Sequence, residues 1–186
     1  MFGPARPYDW RDGLRTMTGP LCTLRELKLE DAASLCAELT TEEGFALLDE
    51  LHAMGTPICV LSGGDPAKRP DLIRLVRHGA RTGMQIATIP AATPRLDRAL
   101  VVALKEAGLA QMALSIDGPD AASHDAFRGA PGAFALTLEG AQYAREAGLP
   151  LQINTTFSAA NRNRFAAMAS LVKELGAVFW EVFFLV

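Results

Sequence analysis

The sequence has few cysteines, few aromatic residues, almost no excess charge and no long apolar run. Its three cysteines, Cys22, Cys36 and Cys59, are too few and too scattered for a disulfide scaffold, so we expect a reducing, cytoplasmic compartment. Lys and Arg total 18 against 21 Asp and Glu, and this balance of −3 favours neither nucleic acid nor an anionic membrane as a partner. No stretch approaches the roughly 20 apolar residues of a membrane span. The N-terminus has no apolar secretory core.

What the sequence does have is a regular alternation of helices and strands from Thr40 onward, in a chain of 186 residues that is 49% hydrophobic. Thr40 and Glu43 have the spacing of a capping box, which predicts a helix start. Apolar periodicity and glycine stops predict helices over 40–54, 70–83, 96–107, 133–147 and 162–175. Short apolar runs between them predict strands over 57–61, 85–89, 111–116, 151–157 and 178–186.

Strands joined by crossover helices pair in parallel, so the class is α/β, either an open doubly wound sheet or a (β/α) barrel. The even rhythm favours a partial (β/α) barrel of about five strands over residues 40–186. The apolar residues 183–186 indicate that this barrel is truncated at the C-terminus. Residues 1–39 form an atypical segment in which Leu24, Leu27 and Leu35 predict an amphipathic helix. The alternative is an open five-stranded sheet that is complete as it stands.

Ligands of parallel α/β folds bind beyond the carboxyl ends of the strands, so the residues that follow each strand are the candidates for a site. Gly63 and Gly64 follow the first strand and allow a ligand to approach the backbone closely. Asp65 adds a carboxylate suited to an amine, and Thr88 stands at the end of the second strand. The other interpretation of Gly63 to Asp65 is an ordinary turn.

Polar residues also end the third and fourth strands. Ser115 and Asp117 share one face of the third strand, and Asn154 lies at the corresponding end of the fourth. Arg128, in a predicted loop over 124–129, can form a bidentate contact with a carboxylate. Capping of turns and solvation of strand ends are the alternative roles. Together these residues favour a pocket for a polar small molecule over a binding module, whose surface would carry exposed aromatics.

Four ordered motifs resemble the radical S-adenosylmethionine (SAM) superfamily, in the branch that carries a C-terminal SPASM extension. They are GGDP at 63–66, RPDL at 69–72, LSIDG at 114–118 and HDAFRG at 124–129. The resemblance covers residues 40–186 and implies a partial (β/α)6 barrel. It further implies that the SAM amino group contacts Gly63, Gly64 and Asp65, the last of which replaces the more common Glu.

The same resemblance assigns further SAM-binding positions. Ser115 and Arg128 match positions that hold SAM, and the arginine binds its carboxylate. Asn154 matches a strand-end position near the cofactor. Thr88 and Asp117, which the strand-end argument supplies, complete the predicted set. The family uses SAM and a [4Fe-4S] cluster to generate a 5′-deoxyadenosyl radical that takes hydrogen from a substrate, here an unidentified peptide or small molecule.

The cluster motif of that family, C-x3-C-x2-C, is absent from this sequence. Cys22 and Cys36 are too far apart to replace it, and Cys59 lies within a predicted strand, where a buried structural thiol is expected. We assign no metal ligand and no catalytic residue. The chain as written is therefore expected to be inactive, and the alternative function is a non-catalytic remnant or a SAM-binding or interaction module on the same half barrel.

One hypothesis for the missing motif is that residues 1–39 are a frameshifted translation; the other is that the segment is disordered or belongs to a protein that lost its cluster. If Leu21 and Leu24 have codons that end in G, the next reading frame contains cysteine codons there and gives C-x2-C, the second half of the motif. The DNA sequence tests this hypothesis.

Overall fold

The computed structural model describes residues 17–18, 23–24 and 39–184. The chain divides into two compact units, residues 1–39 and 40–186. In the first unit, β1 (Met17–Thr18) pairs antiparallel with β2 (Thr23–Leu24). The predicted amphipathic helix is wrong at Leu24, which lies in β2. The other two leucines of that prediction, Leu27 and Leu35, lie outside the described residues. So does the rest of the segment to which the frameshift and disorder hypotheses apply.

The second unit alternates strands and helices as predicted. Its strands are β3 (Ile58–Leu61), β4 (Gln85–Thr88), β5 (Gln111–Ser115), β6 (Leu151–Phe157) and β7 (Phe179–Phe184). Its helices are α1 (Thr41–Ala53), α2 (Leu72–Arg81), α3 (Arg98–Glu106), α4 (Ala121–Arg128), α5 (Ala133–Glu146) and α6 (Phe165–Glu174), with short 3₁₀ turns at Pro66–Lys68 and Arg162–Arg164. The predicted capping box is present at Thr40 and Glu43, whose side chains each accept from the other's backbone N–H.

The five strands of this unit form one parallel sheet in the order β3-β4-β5-β6-β7. The sheet and its crossover helices form a half barrel, which confirms the predicted fold class. The carboxyl ends of the strands are not all level, because Thr88, the last residue of β4, pairs with Met112, which precedes the end of β5 at Ser115. Leu61 pairs with Thr88, Ser115 with Asn154, and Asn154 in turn with Glu181. The end of β5 and the middle of β6 and β7 therefore form one continuous row, and β6 and β7 extend beyond it to Phe157 and Phe184.

The two faces of the sheet have different environments. The helices cover one face, where Ile86, Met112, Leu114 and Ile153 are almost completely buried and form the core. Burial of such side chains contributes about 1.5–3 kcal/mol each to folding. The open face carries exposed apolar residues on the outer strands, such as Val60 and Phe183, and polar residues in the middle. A ligand can thus reach the open face and the carboxyl edge.

Helix α4 corrects one prediction, because residues 124–129 were expected to form a loop. The carboxylate of Asp120 accepts the backbone N–H of Ser123 at 2.8 Å and caps the first turn. Gly129 ends the helix in the left-handed region with φ of 63°, which glycine adopts without steric strain. Arg128 is consequently the last helical residue, in a position that the helix fixes.

Candidate functional site

The centre of the candidate site is an ion pair between Arg128 and Asp117. Asp117 follows β5 and has no exposed side-chain surface; its Oδ2 lies 2.6 Å from Nη2 of Arg128. Its Oδ1 accepts the backbone N–H of Thr156 at 2.7 Å. No donor in the described part of the chain reaches Oδ2 in hydrogen-bond geometry, so the charge of Arg128 is what balances this buried oxygen. The Arg128 side chain remains 39% exposed and keeps donors for a ligand.

His124 supports this pair from α4. Its Nδ1 accepts the backbone N–H of Asp117 at 3.1 Å, so the ring carries no proton on that nitrogen. Burial lowers the pKa of His124, and the nearby Arg128 charge adds to the effect. The imidazole is 1% exposed and packs at 5.7 Å from the ring of Phe134. A neutral histidine thus fixes the turn that carries Asp117.

The loops beyond β5 and β6 are tied together by Asn161, which the sequence did not single out. Its Nδ2 donates to the carbonyl oxygens of Asp117 and Thr156, both at 2.9 Å. Its Oδ1 accepts the backbone N–H of Ser158. The side chain is almost fully buried, so it satisfies backbone groups that would otherwise lack partners. These bonds hold the two strand ends at a constant separation.

Asp65 organises the other side of the site. Its Oδ1 accepts the backbone N–H groups of Ala67 and Ala91, and its Oδ2 accepts the hydroxyl of Thr93 at 3.2 Å. The carboxylate therefore holds the loop after β4 against the loop after β3. Gly63 and Gly64 precede it with φ of 93° and 51°, and nothing lies within 4 Å of where a Cβ would be built. A ligand can approach the backbone at both glycines.

A cavity of about 240 Å³ connects these two sides. Ser115, His124 and Arg128 line it from β5 and α4, while Thr93 lines it from the loop that Asp65 holds. The structure thus brings Ser115 and Arg128 together around one cavity. Asp65 is connected to the same cavity by Thr93, whose hydroxyl donates to it. The structure does not bring Thr88 to this space: that side chain is completely buried, and its hydroxyl donates to the carbonyl of Leu61 at 3.0 Å.

Polar side chains form a hydrogen-bonded row on the open face next to this cavity. Nε2 of Gln152 donates to Oδ1 of Asn154 at 2.7 Å and to Oε2 of Glu181 at 2.9 Å. Nε2 of Gln111 donates to Oε1 of Gln152 at 2.8 Å. Only Asn154 of these four was predicted. The one sequence signal for Glu181 is a carboxylate within an otherwise apolar strand, which is costly to bury unless it has a partner.

Cysteine and metal chemistry is sparse in the described part of the chain. Cys59 is its one cysteine; it lies in β3 and packs against the core, and burial raises the pKa of its thiol. Residues 39–184 contain no group of three or more His, Cys, Asp or Glu side chains that could hold a metal ion. These residues therefore do not fit a [4Fe-4S] cluster, whose iron atoms need several thiolates. None of the helices among them combines the length and apolar character that a membrane crossing requires.

A parallel half barrel with polar groups at the carboxyl ends of its strands defines a class of α/β proteins that bind a small ligand at that edge. Comparison with known proteins identifies the family. The sequence pattern of the Radical SAM superfamily matches residues 24–172, most of the chain. The protein belongs to the radical SAM superfamily.

Two groups of curated relatives are similar in sequence. An AdoMet-dependent heme synthase from Methanosarcina barkeri is 44% identical over 149 residues, which are 80% of this chain and 42% of that protein. A PqqA peptide cyclase from Rhodopseudomonas palustris is 35% identical over 163 residues, 88% of this chain and 42% of its own length. The chain thus spans about two fifths of the length of these relatives.

Solved structures support the fold. Streptococcus suis SuiB superimposes with a TM-score of 0.70 at 15% identity, over 81% of this chain and 35% of that one. Methylornithine synthase (PylB) gives 0.65 at 18% identity, over 81% and 45%. At such identities the likeness concerns the fold alone.

Proposed function

We propose that the chain binds SAM at the carboxyl edge of its sheet, with the SAM carboxylate on Arg128. One observation carries this proposal: Arg128 is fixed by a buried carboxylate, is still 39% exposed, and faces a cavity that also exposes Ser115. A guanidinium held in this way keeps paired N–H donors for a carboxylate and loses little conformational entropy on binding. Membership in the radical SAM superfamily supports SAM as the ligand.

The other residues have complementary roles in this proposal. Gly63 and Gly64 let the SAM amino group approach backbone carbonyls, and Oδ2 of Asp65 accepts one hydrogen bond and so can accept another from an ammonium. Ser115 offers a hydroxyl, and Asn154 offers an amide from the neighbouring strand. Thr88 and Asp117 do not contact SAM in this proposal. Thr88 connects β4 to β3 by its hydrogen bond, and Asp117 holds Arg128 in place.

We further propose that the protein is a radical SAM enzyme. A bound [4Fe-4S] cluster would supply the electron for 5′-deoxyadenosyl radical chemistry on SAM, and residues 39–184 offer no set of thiolates that would hold one. The chain's own residues bind and orient SAM and limit the access of water to it. The relatives' names suggest two substrate classes, a tetrapyrrole or a peptide, and the higher identity to heme synthases favours the tetrapyrrole. The second candidate function is a non-catalytic SAM-binding module, favoured by the lack of a three-cysteine group among residues 39–184.

Calorimetric titration with SAM tests the proposal. We expect Arg128→Ala to weaken SAM binding about ten- to a hundredfold, because it removes a charge-assisted contact of about 1.5–3 kcal/mol. Arg145→Ala is the matched control, since Arg145 lies exposed on the outer face of α5, and should bind SAM as the parent chain does. Equal affinities of the parent and Arg128→Ala would contradict the placement.

The same titration separates the two candidate functions when it is repeated after anaerobic reconstitution with iron and sulfide. A radical SAM enzyme gains a visible charge-transfer absorbance and tighter SAM binding, both lost when Cys22, Cys36 and Cys59 are replaced together by serine. The non-catalytic module gains neither and binds SAM equally well without iron.

A further inference from the structure

The polar row on the open face contains one group that can only accept hydrogen bonds, and this determines the direction of the others. The Glu181 carboxylate accepts from Gln152, so Gln152 must direct its Nε2 toward β7. The second Nε2 proton then points to Asn154, whose Oδ1 must accept it. Oε1 of Gln152 is left to accept from Gln111.

The consequence concerns the far side of the Asn154 amide. Because its Oδ1 is turned toward Gln152, its Nδ2 is left as a donor, and no group within residues 39–184 accepts a hydrogen bond from it. Asn154 pairs with Ser115, which lines the cavity, and keeps 8% exposure. Without an acceptor-only group in the row, the amide could turn over and present oxygen instead.

We propose that Glu181 is a positioning residue: acting through Gln152, it makes Asn154 a hydrogen-bond donor toward bound SAM. This inference rests on the proposed SAM site and adds the direction of one hydrogen bond, from Asn154 to SAM. The ligand atom opposite Asn154 is an acceptor, such as a ribose oxygen or a ring nitrogen. Gln152 touches both Glu181 and Asn154, and the role of the pair is to fix the amide.

Exchanging the two partners tests the direction. In the double variant Gln152→Glu/Glu181→Gln, the carboxylate now on β6 accepts from the amide now on β7, from Gln111 and from Nδ2 of Asn154. The row stays fully bonded and keeps one carboxylate, but the Asn154 amide is reversed. We expect the exchange to weaken SAM binding about three- to tenfold, the range for one lost hydrogen bond. Glu139→Gln, at an exposed position of α5, is the control and should bind as the parent does.

Two results would overturn the proposal. An exchanged variant that binds SAM like the parent would show that only the negative charge or the packing matters. An exchange that weakens binding as much in the Asn154→Ala background as in the parent would show that Glu181 does not act through Asn154, because residues acting as a unit give non-additive effects.

A readout without SAM separates failure of this inference from failure of the proposed function. In the labelled parent chain, the nuclear Overhauser effect between the Asn154 Nδ2 protons and the Gln152 side chain should be weak, because Oδ1 lies between them. The exchange should bring these protons nearer to residue 152 and strengthen the effect. Parent protons found on the Gln152 side would refute the orientation, whether or not SAM binds. If the Asn154 amide of the parent chain has the expected orientation but the chain does not bind SAM, the SAM site is refuted instead.

Discussion

At the scale of single residues, the candidate site consists of charged and polar side chains whose orientation is fixed by partners beneath them. Arg128 is held by Asp117, the turn at Asp117 by His124, and the loop after β4 by Asp65. The residues proposed to face SAM are therefore pre-organised, which reduces the entropy lost on binding.

His124 gives this arrangement a dependence on pH. Burial holds its pKa in the folded protein below the value of about 6.5 of the unfolded chain. The unfolded state consequently takes up a proton first, and the stabilisation present above about pH 6.5 is lost as the pH falls below it, by up to about 1.4 kcal/mol per pH unit. Urea unfolding between pH 7.5 and 5 should show a steeper loss for the parent than for His124→Gln, which cannot titrate. Parallel curves would contradict this account.

The residues proposed to face SAM are easier to predict from the sequence than the residues that support them. Gly63, Gly64 and Ser115 lie at strand ends as predicted, whereas Arg128 ends helix α4 and does not lie in the predicted loop. Asp117, by contrast, was expected to face the ligand beside Ser115, but it lies just past the strand end, where alternation no longer determines the side-chain direction. The bonds of Glu181 depend on its pairing with β6, 29 residues away from Gln152, which no local pattern encodes.

At the scale of elements, α4 is the part of the site that the sequence did not reveal. It is eight residues long and polar, so it lacks the apolar periodicity that predicted the other helices. Its two signals were local, the cap at Asp120 and the stop at Gly129. Asp125 within it accepts the N–H groups of Gly132 and Phe134 and so connects α4 to the start of α5, contacts that lower the pKa of its carboxyl.

The first turn of α4 packs directly on Gly118, which predicts an element-level effect. A Cβ at Gly118 would lie 2.4 Å from the backbone nitrogen of His124, an atom that cannot move without the helix. We expect Gly118→Ala to destabilise the fold by about 1–3 kcal/mol and to weaken SAM binding by displacing Arg128. Thermal unfolding and titration measure both effects.

Gly140→Ala is the comparison for that variant. A Cβ there meets the tips of the Leu96 and Leu114 side chains, which can rotate away, so the loss of stability should be smaller and SAM affinity unchanged. Equal destabilisation by the two substitutions, or normal SAM binding by Gly118→Ala, would argue against a role for this contact in placing Arg128.

At the scale of the whole molecule, the alternation of apolar strands and glycine-stopped helices was enough to predict a parallel sheet with crossover helices. It left an open sheet as the alternative to the half barrel, which the even rhythm favoured and the family resemblance implied. The genetic code tests part of the frameshift hypothesis for the missing cluster motif. Met is always ATG and every Thr codon begins with A, so the shifted frame reads TGA, a stop, across Met17 and Thr18. That codon lies four positions before the shifted codon of Leu21, where the first cysteine of C-x3-C-x2-C belongs. If the codons of Leu21 and Leu24 end in G, a single shift therefore gives the C-x2-C pair but not the first cysteine of the motif.

The most direct test of the central claim is a crystal structure of this chain with SAM. The account predicts SAM at the carboxyl edge of the sheet, with its carboxylate bonded to Arg128, its amino group beside Gly63 and Gly64, and Nδ2 of Asn154 donating to it. SAM bound elsewhere, or at this edge with its carboxylate turned away from Arg128, would contradict the account.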